Sequence, residues 1–430
     1  MKPIRIAAAI LALALMHPVA AWAGSTAEQI LAQAARYTVK VDVITSIALN
    51  MDEGNTAHGA GFLIDRKRGW LLTNAHVATR SPVTLRASFK GGAPIAAIRV
   101  HVDPLLDVAI IRIDPKEIPE GTPEAQLDCA GLPAAGTPVA AFGHPWGLYF
   151  TATRGIVSGV SWIDQSENIQ SDAVINSGNS GGPLISLNTG KVIGVNSATY
   201  KVQKDANATA ISLAEPIPHI CRIIELLEAG QDARLRLLPV ALATAEDDVR
   251  PRVARLLGSS SDFQTGDLIV GVNGSSGVRN LTDLATQLRG RASLVAIKVE
   301  RKGQRLDVVT DTRILPDPLG VNGINLSGLI ITAPWRLDDF EINPEKHLVV
   351  DTVVANSDAG LTKAASSDII EAVNGVAYSD LEALREALNA LPENAEVQII
   401  LRGYAREGVF LREYRSVTLL RGELEDVTVE

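Results

Sequence analysis

From Tyr37 to about Ala214 the chain never sustains a helical period. It runs in short apolar or alternating stretches, Thr38 to Ile47, Gly61 to Ile64, Trp70 to Thr73, Ile95 to Val102, Val108 to Ile113, Val139 to Phe142, Gly155 to Val160 and Val192 to Val195, punctuated by Gly, Pro, Asp and Asn. Roughly 180 residues of such small strands predict antiparallel barrels. A short amphipathic helix is expected just before them, where Ile30, Leu31, Ala34 and Ala35 fall at helical spacing. A second, from Ile217 to Glu228 with Gly230 as its stop, closes the region and sets a boundary near residue 230.

Beyond 230 a pattern occurs twice. Gly266-Asp267-Leu268-Ile269-Val270-Gly271-Val272-Asn273-Gly274 precedes a helical stretch Leu281 to Leu288 and a strand Leu294 to Arg301. Ser367-Asp368-Ile369-Ile370-Glu371-Ala372-Val373-Asn374-Gly375 precedes Leu381 to Leu391 and Glu396 to Leu401. Two copies of an acidic residue, an apolar strand, an Asn-Gly turn, a helix and a strand predict two related α+β units, over 231–315 and 316–425.

With 430 residues, 46% of them hydrophobic, the chain can build several cores. Its net charge of −9 and the lack of a basic run argue against a nucleic-acid partner. Lys2 and Arg5, the apolar run Ile6 to Met16 and the small residues of Ala21-Trp22-Ala23 read as a signal peptide over 1–23; an uncleaved anchor is the alternative. Cys129 and Cys221 are the only cysteines, too few for a disulfide scaffold or a four-cysteine zinc site. One bridge and two buried thiols are equally good readings.

Serine-based acyl transfer needs a hydroxyl, an imidazole to take its proton and a carboxylate to fix the imidazole tautomer. Ser180 lies in N-S-G-N-S-G-G-P-L, where flanking glycines let main-chain amides turn toward a substrate. Gly178, Asn179 and Ser180 form the candidate oxyanion-binding segment, with Gly178 and Ser180 as donors. His76 follows an apolar strand in L-L-T-N-A-H-V, and Asp107 opens another in D-P-L-L-D-V-A-I-I-R-I. Asp103 competes for the third role, but a carboxylate before Pro104 sets up a turn, which favours Asp107. The order His, Asp, Ser, spaced by 31 and 73 residues, fits one barrel giving the first two and a second barrel giving the serine.

T-N-A-H-V, D-P-x-x-D-V-A, G-H-P-W-G-L and Q-S-D-A-V-I-N-S-G-N-S-G-G-P-L, in that order, resemble the motif set of the HtrA/Deg serine proteases. The likeness is close over residues 38 to 225, and the two repeats resemble PDZ domains more loosely. It implies a mainly β chain, a chymotrypsin-like double β-barrel over 24–230 followed by two PDZ-like α+β domains. It also implies an exported, ATP-independent endopeptidase for unfolded or exposed polypeptide, a role in envelope quality control, and a homotrimer with contacts around Tyr37. No metal or organic cofactor is implied. By the same likeness Val174 is the floor of the first specificity pocket and Val195, Asn196 and Ser197 its wall. None is acidic, so a small aliphatic residue is expected before the cut. Leu326-Ser327-Gly328-Leu329 is the expected carboxylate-binding turn of the second PDZ unit, open to C-terminal peptides. The first unit has no such turn and reads as a spacer. The segment Gly143 to Leu148 either shapes the cleft or forms a tight loop. The rival reading is a peptide-binding chaperone or scaffold whose protease domain is inactive or conditionally active.

Overall fold

The structure, a computed structural model, describes residues 26–45, 49, 56–79, 81–144, 150–163, 166–200, 211–245, 248–257, 262–315, 317, 319, 322–334, 347–404 and 412–428. The expected leader and residues 145–148 of the G-H-P-W-G-L segment lie outside them. Helix α1 (Ala27–Tyr37) starts on a reciprocal cap, in which the Thr26 hydroxyl accepts the Gln29 amide at 3.2 Å and the Gln29 side chain accepts the Thr26 amide at 2.9 Å. Its Ile30, Ala34 and Tyr37 join the core of the first barrel.

That barrel comprises β1 (Thr38–Thr45), β2 (Thr56–Asp65), β3 (Trp70–Thr73), β4 (Val83–Phe89), β5 (Ile95–Asp103) and β6 (Val108–Ile113), with one-turn helix α2 (Ala75–Ala78) after β3. The order is β1-β2-β3-β6-β5-β4, and β4 returns to β1 with Leu85 opposite Val43. Alternation selects the inward face: Val39, Val41 and Val43 of β1 are fully buried, each worth about 1.5–3 kcal/mol of transfer free energy.

The second barrel comprises β7 (Pro138–Gly143), β8 (Thr151–Ile163), β9 (Ser166–Ser171), β10 (Pro183–Ser186), β11 (Val192–Tyr200) and β12 (Ile211–Pro216), ordered β10-β11-β12-β9-β8-β7. Helix α3 (Ile217–Glu228) then packs Ile217, Ile220, Ile223 and Leu226 into the same core as the first barrel.

Two sheet-and-helix units follow. A five-stranded antiparallel sheet over 240–311 carries helix α4 (Leu281–Leu288), and a seven-stranded one over 322–428 carries α5 (Leu381–Asn389). Both expected Asn-Gly turns form, with Asn273 and Asn374 at φ 48° and Gly274 and Gly375 at φ 80°. The first unit is tied to the second barrel: Glu167 of β9 receives the Asn280 side chain at 2.9 Å and meets His219 of α3 at 2.8 Å.

Cys129 and Cys221 are bonded to each other, with Cα atoms 6.0 Å apart. The link joins the segment before the second barrel to α3 across 92 residues of chain. Closing so long a loop restricts the unfolded state, so Cys129→Ser with Cys221→Ser should cost about 2–5 kcal/mol. Urea unfolding under non-reducing conditions measures this, and a midpoint equal to that of the parent would contradict it.

Candidate active site

The first barrel delivers the imidazole and the carboxylate together. Asn74 ends β3 and occupies the N-cap position of α2, and its side chain donates to the Asp107 carbonyl at 2.8 Å. Behind α2, buried Arg99 of β5 donates to the carbonyls of Thr79 and Ser81 at 2.9 and 2.8 Å, fixing the chain where Thr79 takes φ 49°. Asp107 sits at φ 46°, a left-handed conformation that aspartate tolerates better than most side chains. From there one carboxylate oxygen accepts the His76 amide at 3.0 Å and the other lies 2.7 Å from His76 Nδ1. A carboxylate at Nδ1 holds the proton there and leaves Nε2 as a base.

The second barrel brings Ser180 and Ser197 to the same place. The Ser197 hydroxyl donates to the second Asp107 oxygen at 2.8 Å. The Ser180 hydroxyl donates to the Ser197 carbonyl at 2.8 Å. With a single proton to give, the Ser180 hydroxyl is committed to that carbonyl and not to the imidazole.

The turn before Ser180 bridges the barrels. The Ser180 carbonyl accepts the Ala60 amide of β2 at 2.8 Å. At Gly181, with φ 84°, an added Cβ would lie 2.1 Å from the Ala60 carbonyl oxygen, so both conformation and space require glycine. Among the described residues no acceptor stands at the amides of Gly178 and Ser180, whereas the Asn179 amide is committed to the Asn176 carbonyl at 2.9 Å. Asn179 therefore shapes the turn and donates nothing to a ligand through its amide.

Two other expected groups are placed differently. Val195 is wholly buried in the barrel core and Asn196 clamps main chain, donating to the carbonyls of Phe142 and Pro183 at 3.3 Å each. Neither offers surface to a substrate. Val174, the expected pocket floor, is 56% exposed, with its carbonyl held by the Thr153 hydroxyl at 2.7 Å. The Leu326–Leu329 turn is a two-residue hairpin, Leu326 opposite Leu329, with Ser327 and Gly328 both at positive φ. The Gly328 amide is taken by the Asn325 side chain at 2.9 Å, and the carbonyls of Ser327 and Gly328 receive Ala359 and Val354 at 3.0 and 2.8 Å. Packed under the 354–361 segment, it is a structural corner and not an open carboxylate receptor.

Asp103 is not the partner of His76; it pairs with Arg289, 2.5 Å away. Two further groups stand near the site, Glu215, which the sequence did not single out, and His144 of the Gly143–Leu148 segment. Glu215 of β12, opposite Val195, is 5% exposed, and burial together with Asp107 and Asp103 pushes its carboxyl well above the usual range. Buried His144 directly follows the second-barrel strand β7; its amide donates to the Gly178 carbonyl at 3.0 Å and its Nδ1 accepts the Phe150 amide at 3.0 Å. Burial lowers its pKa from 6.5 to about 4. The unfolded chain therefore binds a proton that the folded chain refuses between these values. The stability from neutral His144 is complete above pH 6.5 and is lost as pH falls toward 4, at most about 3 kcal/mol. Urea unfolding from pH 4 to 7 should show a flatter pH slope in His144→Gln than in the parent.

The trypsin-like peptidase domain family matches residues 59–195. A probable periplasmic serine endoprotease, DegP-like, from Pseudomonas fluorescens is 29% identical over 374 residues, covering 79% of this chain and 76% of the relative. The periplasmic serine endoprotease DegP of Salmonella typhimurium is 28% identical, covering 78% and 72%. Among solved structures, the HtrA-type protease AlgW with a tripeptide superposes with a TM-score of 0.53 at 23% identity over 68% of this chain and 99% of that one, a likeness of fold. The binding-protein alternative finds no support in these comparisons. Two closed barrels, the matched peptidase domain and relatives spanning most of both chains support an exported, periplasmic, trypsin-like serine endopeptidase similar to the HtrA/Deg proteases.

Proposed function

We propose that His76 is the general base, Asp107 its orienting carboxylate and Ser180 the nucleophile, with the Gly178 and Ser180 amides as oxyanion donors. The observation that carries this reading is the double grip of Asp107 on His76, amide and ring together. Attack begins when Ser180 leaves the Ser197 carbonyl and passes its proton to Nε2. The imidazolium then forms against Asp107, which Ser197 also steadies. The proton goes next to the leaving amine, and water repeats the sequence on the acyl-enzyme.

The substrate is an extended, unfolded segment, because a barrel cleft engages main chain by strand addition. Val174 and Ser197, the members of the expected pocket set with accessible surface, bring no charge, consistent with a small aliphatic residue before the cut. Of the two sheet-and-helix units, the first, over 231–315, is a degenerate PDZ-like domain, and the second, over 316–425, is a PDZ domain that takes C-terminal peptides at a place other than its 326–329 corner. Assembly is as a homotrimer serving envelope quality control. Tyr37 is 3% exposed within a single chain, so trimer contacts rest on its neighbours.

Ser180→Ala should abolish casein cleavage and organophosphorus fluoride labelling together, while Asp107→Asn should lower kcat by about 10⁴-fold with folding intact. A parent protein that cuts casein without labelling would refute the serine mechanism. Profiling with a peptide library should place small aliphatic residues before the cut; dominant cleavage after Lys or Arg would refute the pocket reading.

A further inference from the structure

The turn that presents Asp107 is held from outside both barrels. Asp103, the last residue of β5, is 3% exposed, and one of its carboxylate oxygens accepts the amides of Leu105 and Leu106 at 3.1 and 2.9 Å. Those bonds form the turn whose last residue is Asp107. The other oxygen lies 2.5 Å from Nη2 of Arg289, which stands at the C-cap of α4 in the first sheet-and-helix unit. Arg289 is 0% exposed; its Nη1 donates to the Ala233 carbonyl at 2.8 Å and its own amide to the Ala285 carbonyl at 3.2 Å. His101 Nε2 is 3.9 Å from the same Asp103 oxygen. Burial pushes the Asp103 carboxyl up, but Arg289, with His101 and the Leu106 amide, outweighs it and holds the group ionised.

A buried ion pair is poor evidence for added stability, since apolar side chains of the same shape often do as well. Its value is in position. An ionised Asp103 is a strong acceptor for the two turn amides, and it stays ionised at that depth only beside a cation.

We propose that Arg289 is a positioning residue for peptide hydrolysis: by compensating Asp103 it lets that carboxylate order the 104–107 turn, and so sets Asp107 against His76. This rests on the catalytic roles proposed above. It makes the first sheet-and-helix unit a structural part of the active site and not a spacer. Among the described residues, His76 from α2 and Glu215 from β12 are the titratable groups that interact with Asp107, and Asp103 from β5 holds the turn behind it.

The test uses the full chain. Parent, Arg289→Met, Arg289→Lys and the double variant Arg289→Met with Asp103→Asn are titrated for active sites with an organophosphorus fluoride. Then kcat and KM on a short peptide are measured from pH 5 to 9. Arg289→Met should lower kcat per titrated site roughly 10- to 100-fold with KM nearly unchanged. Its acid limb should move down by about one pH unit, because an imidazolium less well held by Asp107 loses its proton more readily. Arg289→Lys, which keeps the charge, should restore the limb. If Arg289→Met does not fold, the double variant, which buries no lone charge and keeps an acceptor oxygen at 103, should fold and show a smaller loss of the same kind. A fall in titrated sites with kcat per site and acid limb unchanged in every variant would overturn the proposal, leaving Arg289 a purely structural role. A parent that cannot be titrated would overturn the catalytic reading as well.

Discussion

Everything at this site converges on one carboxylate. Asp107 accepts from the amide and ring of His76 and from the Ser197 hydroxyl, so three segments, two from the first barrel and one from the second, are fixed by two oxygen atoms. A carboxylate in that role must be ionised, aimed and partly shielded from water. Aim comes from the left-handed turn and from Asn74, and shielding from the barrel seam. The upward shift of the Glu215 carboxyl, driven by burial and by Asp107 itself, works in the same direction, since it disfavours a second negative charge beside Asp107.

The two barrels meet through main chain as well as through side chains. The Ser180 carbonyl and the Ala60 amide, the closeness of Gly181 to the Ala60 carbonyl, and the His144 amide on Gly178 leave the nucleophile turn little room to shift. What remains adjustable is the rotamer of Ser180. In the mechanism proposed above, the hydrogen bond to Ser197 thus separates a framework already assembled from a single torsion that starts the chemistry.

Much of this was legible in the sequence because local rules and tertiary structure agree. Alternating valines made β1, Asn-Gly pairs made their turns, and the spacing of His76, Asp107 and Ser180 placed them on two barrels. The sequence misled where tertiary partners decide. Ser166 to Ser171, S-E-N-I-Q-S, has no strand signal, yet it forms β9 because Glu167 finds His219 and Asn280. Asn196 looked like pocket wall and is a main-chain clamp. Leu326 to Leu329 has the composition of a receptor turn, but its amide and carbonyls are satisfied within the unit. The Asp103–Arg289 pair joins residues 186 positions apart, and only the docking of α4 makes them neighbours.

The Cys129–Cys221 link also has a topological consequence for an enzyme that lives among its own kind. The covalent ring it closes contains the whole Ser180 turn and all six strands of the second barrel, while His76 and Asp107 lie outside it. A single self-inflicted cut at any peptide bond within the ring therefore frees no fragment: both pieces stay tethered, and the severed ends remain next to their old neighbours. Complete dismantling takes a second break or a reductant, so the oxidising surroundings in which the protein works also set how easily it can destroy itself.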